Sequence, residues 1–115
     1  TRFVSSIESP VHDNFKDSIK SAGTDGTYIL NKSSKPVIRA LKTEFTKDIY
    51  ENGSMSMGDL AKIKDLYFEG DMNAAPALAG QSSGLINEIK SVKSIIDETI
   101  SEYNEVCLRL SKDLF

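Results

Sequence analysis

The most regular hydrophobic pattern lies in the last quarter of the chain. Apolar or weakly polar residues recur there at spacings of four and three, and the charged residues of the segment lie between them. The members of this stripe are Leu85, Ile89, Val92, Ile96, Thr99, Tyr103, Val106, Leu110 and Leu114. The spacing predicts a long amphipathic helix, with Ser91 capping the break between a short first helix and a long second one. A coiled-coil seam is the alternative, because the spacing continues over several heptads.

The first predicted helix covers residues 10–21. Ser9 is its expected N-cap, and Pro10 suits the first helical position, where its missing N–H costs nothing. Apolar residues then follow helical spacing as far as Ala22, and a glycine ends the helix. His12 lies on this helix without a second metal ligand nearby, so we expect it to be solvated or to serve as a cap.

Two more helices are predicted in the middle of the chain. Thr43 or Thr46 can cap a helix through residues 44–50, and a second helix is expected over residues 59–69. Gly70 is the stop signal of the second, because glycine readily adopts the left-handed conformation that ends helices.

Short β-prone runs lie between these helices. Residues 28–30 and 37–41 are predicted to pair as an antiparallel unit, with Pro36 at the start of the second strand, where a missing N–H is tolerated. Residues 1–4 are β-prone and are expected to form the end of another strand. The predicted class is therefore α+β, predominantly helical, with one small antiparallel β unit.

Residues 71–86 contain mostly small side chains before the long helix. Gly80 and Gly84 flank Ser82 and Ser83, so this backbone can approach another group closely. A helix start also presents free N–H groups and the positive end of a helix dipole. Both a bound cofactor and a tightly packed neighbouring segment fit such a run.

Composition excludes some classes of protein. The 115 residues are 39% hydrophobic and 27% charged, with a formal net charge of −3. Scattered basic residues and a negative balance argue against nucleic-acid binding. Arg39 and Lys42 could face a ligand, although we expect them to lie on a solvated or ion-paired surface. No apolar run is long enough to cross a bilayer, so no membrane association is expected. Cys107 falls within the helical pattern and is predicted to be a small core residue in a reducing cytoplasm.

Three passages resemble the nitronate monooxygenase family, formerly called 2-nitropropane dioxygenases. Residues 77–86 read ALAGQSSGLI, like a motif near the C-terminus of that family and of its relatives, the FMN-dependent enoyl-ACP reductases II. Residues 1–4, 8–9 and 12–16 read TRFV, ES and HDNFK, and residues 36–46 read PVIRALKTEFT, each similar to a family passage. The matches follow the family's order over nearly the whole chain.

The resemblance implies the C-terminal part of an FMN-binding TIM barrel with its inserted α/β subdomain. Residues 1–7 would be the end of a late barrel strand, residues 8–70 the subdomain, and residues 71–115 the return segment and closing barrel helices. A complete barrel needs roughly 250 residues, so the chain is expected to be a fragment of a longer enzyme. The resemblance places Thr1 at the FMN phosphate and Leu78, Gly80 and Gln81 near the flavin. It implies no catalytic or metal-binding residue within the chain.

Three functions remain open at this stage. The first is a fragment of an FMN-dependent oxidoreductase that oxidises alkyl nitronates with O2, and the second is an enoyl-ACP reductase II that uses NAD(P)H and FMN. The third is a non-catalytic helical interaction domain, because the chain lacks most of the barrel. The substrate of the longer enzyme would be a small molecule, and the isolated chain is expected to be inactive. It is also expected to self-associate in order to cover the apolar stripe.

Overall fold

The computed structural model describes residues 1–114. Three α-helices and a two-stranded sheet form its regular structure: α1 (Asp13–Ser21), β1 (Thr27–Leu30), β2 (Ile38–Leu41), α2 (Glu44–Asn52) and α3 (Val92–Asp113). Shorter helical turns cover Met57–Leu60, Asp65–Glu69 and Gln81–Leu85. The predicted α+β class with a small antiparallel unit is confirmed.

The two strands form an antiparallel hairpin. Thr27 pairs with Leu41 and Leu30 pairs with Ile38. On the other edge of β2, Leu78 forms an isolated antiparallel bridge to Ala40. Residues 77–79 thus lie along β2 as an additional short extended segment, and this pairing brings the small-residue run to the sheet.

The main hydrophobic core lies between α1, the end of the hairpin and residues 66–86. Its buried members are Phe15, Ile19, Leu41, Leu66, Ala75, Ala77 and Ile86. Phe15 meets the Tyr67 ring edge to face, with centroids 5.2 Å apart. Burial of the hydroxyl raises the pKa of Tyr67 above its ordinary value. A second, smaller cluster of Leu30, Ala40 and Ile49 joins α2 to the hairpin.

Local capping explains where α2 begins and where it ends. The Thr43 hydroxyl accepts from the Thr46 N–H, and the Thr46 hydroxyl accepts from the Thr43 N–H at 2.8 Å. Each side chain thereby satisfies a backbone N–H that the first helical turn leaves free. Gly53 then ends the helix with a φ of 82°, in the left-handed region.

The strand predicted over residues 1–4 is wrong, because this segment forms turns. The Ser5 N–H and hydroxyl both donate to the Thr1 carbonyl, at 3.1 and 3.2 Å, and close the backbone on itself. The entry of α1 also differs from the prediction. His12, rather than Ser9, is the N-cap, since its Nδ1 accepts from the Asn14 N–H at 3.1 Å. The predicted capping role of His12 is therefore confirmed.

The continuous helix predicted over residues 59–69 is also wrong. A 3-10 turn, Met57–Leu60, is followed after a short connection by a wide π-type turn, Asp65–Glu69. The N–H groups of Gly70 and Asp71 both donate to the Asp65 carbonyl, and this arrangement widens the final turn. Gly70 ends it with a φ of 78°, as its sequence position predicted.

The Ser91 cap of α3 is confirmed, but the short first helix predicted before it is wrong, because residues 86–90 are not helical. The long helix is mostly exposed. Ser91 is the N-cap, and its hydroxyl accepts from the Ser94 N–H at 3.1 Å. Ile95 is the buried residue of α3, and Cys107 is exposed. The prediction that Cys107 is a core residue is therefore wrong, because no described segment packs over the C-terminal part of α3.

Candidate functional site

The run that the sequence singled out is held on the edge of the hairpin by its backbone. The Leu41 N–H donates to the Ala77 carbonyl at 2.8 Å, and the Ala79 N–H donates to the Arg39 carbonyl at 3.3 Å. These bonds fix Leu78 between two anchored residues, and 37% of its surface stays exposed. The segment therefore presents an apolar side chain to its surroundings from a fixed backbone.

Thr1 and Gly80 are 79 positions apart in the sequence and meet in the fold. The Gly80 N–H donates to the Thr1 hydroxyl oxygen at 2.8 Å. A Cβ built on Gly80 would lie 3.1 Å from the same oxygen, which is a tight contact. Two of the four residues predicted at the cofactor are thus brought together by a direct hydrogen bond.

Ser83 and Gly84, two further small residues of the run, serve packing. Ser83 is fully buried and its hydroxyl donates to the Gly80 carbonyl at 2.7 Å. A Cβ on Gly84 would lie 2.3 Å from the Gly23 carbonyl oxygen, a distance that no real Cβ tolerates. Tight packing, which the sequence left as an alternative to cofactor binding, therefore accounts for Ser83 and Gly84.

The groups near Gly80 that remain available are an amide, an apolar side chain and a hydroxyl. Gln81 is exposed and its amide can both donate and accept, while Leu78 offers an apolar contact. The Thr1 hydroxyl can still donate its own hydrogen after accepting from Gly80. The Gly80 N–H is already bonded to Thr1, so it is not free to donate to a ligand.

Gln81 also borders a cleft that the sequence did not predict. The cleft has a volume of about 410 Å³ and lies beside the hairpin. Its lining includes Tyr28, Lys32, Arg39, Lys42 and Tyr50. Hydrophobic periodicity gave no signal for it, because its residues come from both strands, the turn between them, α2 and the small-residue run.

The described residues hold no cluster of three or more metal-ligating side chains, and no helix among them is long and apolar enough to cross a membrane. The ion pairs lie elsewhere, chiefly near the start of α3. A hydrogen bond to Glu98 raises the pKa of Lys90, and one to Asp97 raises the pKa of Lys93. These pairs form part of the surface at the start of α3.

Comparison with protein-family profiles and with curated proteins gives no match. Comparison with solved structures gives FabK from Thermotoga maritima, with a TM-score of 0.85 and 34% identity over 96% of this chain. A point mutant of the same FabK matches with a TM-score of 0.80 and 36% identity, also over 96%. The chain spans 37% and 34% of the length of those two structures. FabK is the enoyl-ACP reductase II of the nitronate monooxygenase-like family, so the resemblance predicted from the sequence is confirmed.

Proposed function

We propose that this chain, which shares the nitronate monooxygenase-like family with FabK, is part of an FMN-dependent oxidoreductase and supplies one edge of its flavin site. The observation that carries the proposal is the match to FabK over 96% of the chain at 34–36% identity. Because the alignment covers 96% of the chain, most of the hairpin and of the small-residue run lies within it. Bound FMN would supply the electron transfer.

Four residues would hold the flavin edge, each through a different property. Thr1 would donate its hydroxyl hydrogen to a phosphate oxygen, and Gly80 keeps the backbone close enough for that hydroxyl to be positioned. Leu78 would provide an apolar contact, and Gln81 would hydrogen bond to a polar ring atom. The pairing of Ala77 and Ala79 with the hairpin would keep the two exposed side chains in place.

Two reactions are candidates for the whole enzyme. Oxidation of alkyl nitronates by O2 is the reaction of the family that the sequence motifs resemble. Reduction of an enoyl thioester by NAD(P)H is the alternative, and the FabK match supports it equally because FabK is an enoyl-ACP reductase II. In either case we propose a small-molecule substrate and a cytoplasmic location for the enzyme.

The test uses the longer enzyme that carries this chain, with the chain alone beside it. We expect the longer enzyme to bind FMN and the chain alone to bind it weakly or not at all. Gln81→Ala should weaken FMN binding by about tenfold, the loss of one good hydrogen bond. Asn87→Ala, another exposed amide outside the small-residue run, is the matched control and should leave FMN binding unchanged.

Turnover then separates the two reactions. Nitronate-dependent O2 uptake without NADH oxidation would support the monooxygenase, and NADH oxidation that depends on an enoyl thioester would support the reductase. A longer enzyme that neither contains nor binds flavin would refute the proposal as a whole.

A second candidate function is association through α3. Its apolar stripe is exposed on the described surface, and the exposed members include Ile96, Tyr103, Val106 and Leu110. Acidic residues dominate the middle of α3, whereas Arg109 and Lys112 lie near its end. An antiparallel pair of α3 helices would set the basic end of each against the acidic middle of the other, so we propose a second copy of this chain as the partner.

Sedimentation equilibrium tests this proposal. We expect the chain to form dimers, and the double variant Tyr103→Glu/Leu110→Glu to be monomeric because it places charges in the apolar stripe. Ser101→Glu/Asn104→Glu adds the same charge beside the stripe and should still dimerise. A chain that stays monomeric at high concentration would refute the proposal.

A further inference from the structure

The cleft beside the hairpin concentrates positive charge on a chain whose net charge is −3. Lys32, Arg39 and Lys42 line it, and Asp25 is the carboxylate among its lining residues. None of the three cations forms an ion pair with another described residue. Three cations thus share one concave surface of about 410 Å³ with little compensating negative charge.

Aromatic rings position the two lysines without neutralising them. The Tyr28 and Tyr50 rings are stacked, with centroids 4.4 Å apart and planes 17° from parallel. The Lys42 ammonium lies 5.1 Å from the Tyr28 centroid, and the Lys32 ammonium lies 5.2 Å from the Tyr50 centroid. A cation–π contact orients an ammonium but leaves its hydrogen-bond donors free for an anion.

Arg39 is positioned by a neutral partner. Its Nη1 donates to the Thr27 hydroxyl at 2.8 Å, across the hairpin, and this contact is partly buried. One N–H is used in this bond, so the other donors of the guanidinium stay available. The planar group is therefore fixed in place while it keeps its full charge.

We propose that this cleft binds the phosphate group of a small organic phosphate. Arginine provides parallel donors that match phosphate oxygens, and the two lysines provide point charges beside it. A volume of about 410 Å³ is typical of a small-molecule site. The negative net charge disfavours a nucleic acid, which needs an extended basic surface. The assignment goes beyond the flavin chemistry proposed above and does not depend on it.

Isothermal titration of the chain with inorganic pyrophosphate, ADP and adenosine tests the proposal. We expect saturable binding of pyrophosphate and ADP, weakened by added KCl, and no binding of adenosine. The double variant Lys32→Gln/Lys42→Gln should weaken pyrophosphate binding by about tenfold or more, because two charge-assisted contacts are removed. Both lysines are exposed, so the variant should keep the circular dichroism spectrum of the parent chain.

Lys47→Gln/Lys62→Gln is the matched control, because it removes two exposed lysines outside the cleft. It should bind pyrophosphate as the parent chain does. Equal weakening in both double variants would show attraction by general surface charge and would overturn the proposal. Binding of adenosine as tight as that of ADP, or no saturable binding of pyrophosphate, would overturn it as well. None of these readouts involves flavin or turnover, so a failure here leaves the proposed oxidoreductase function separately testable.

Discussion

Substitution of Gly84 by alanine is predicted to destabilise the fold through steric overlap alone. The new Cβ would lie 2.3 Å from the Gly23 carbonyl oxygen and 2.5 Å from the Thr24 Cα. Both are backbone atoms of the turn after α1, so no flexible side chain can move aside. Overpacking of this kind costs typically 1–3 kcal/mol, and the rigidity of both partners places this case near 3 kcal/mol. Reduced freedom of the unfolded chain offsets about 0.4–1 kcal/mol of that cost. The expected net loss is about 2 kcal/mol.

Urea unfolding followed by circular dichroism measures this loss. For a small protein the slope is about 1–3 kcal/mol per molar urea, so a loss of about 2 kcal/mol lowers the midpoint by about 1 M. Gly58→Ala is the matched control, because its nearest neighbour is the Ser56 hydroxyl oxygen at 3.4 Å, an ordinary contact. Equal midpoints for the two variants would refute the close approach of the small-residue run to the turn after α1.

Three further predictions concern the hydrophobic core, the N-cap of α2 and the Tyr67 hydroxyl. Leu66→Ala, at a fully buried position, should lower the free energy of unfolding by about 2–5 kcal/mol in the same urea assay. Thr43→Ala removes the N-cap of α2 and should cost about 1 kcal/mol, whereas Thr43→Ser should restore most of it. Absorbance titration should show one tyrosine ionising after the others, and Tyr67→Phe should abolish that late step. Because folding raises this pKa, the stability that Tyr67 contributes is complete below pH of about 10 and falls as pH rises through the folded pKa.

The features that were predicted best from the sequence are those that depend on residues close together in the chain. The Thr43 cap, the Gly70 stop and the Ser91 cap each arise from a side chain or glycine acting within five residues of itself. The hairpin was found for the same reason, since its two strands are joined by one short loop. Residue type at a single position is sufficient evidence for such features.

The features that were missed depend on distant contacts. His12 became the cap of α1 because its own N–H donates to the Tyr67 carbonyl at 2.6 Å, which fixes the chain before the helix. Cys107 fits the apolar period of its helix, but periodicity reports only which face is apolar and not whether a partner covers it. The sequence did not predict the cleft beside the hairpin, because its charged residues follow neither helical nor strand periodicity.

The small-residue run is packed tightly at one end and keeps exposed side chains at the other. Gly84 lies against backbone of the turn after α1, where any Cβ would overlap, so its identity is set by packing. Gly80 lies instead against the Thr1 hydroxyl at a distance that a small movement of that side chain could relieve. Gly84 therefore anchors the segment. The Thr1 hydroxyl, the Gln81 amide and the apolar side chain of Leu78 remain available around Gly80. Packing at one end is what makes the other end available for a ligand, because an unanchored backbone would lose entropy when it bound one.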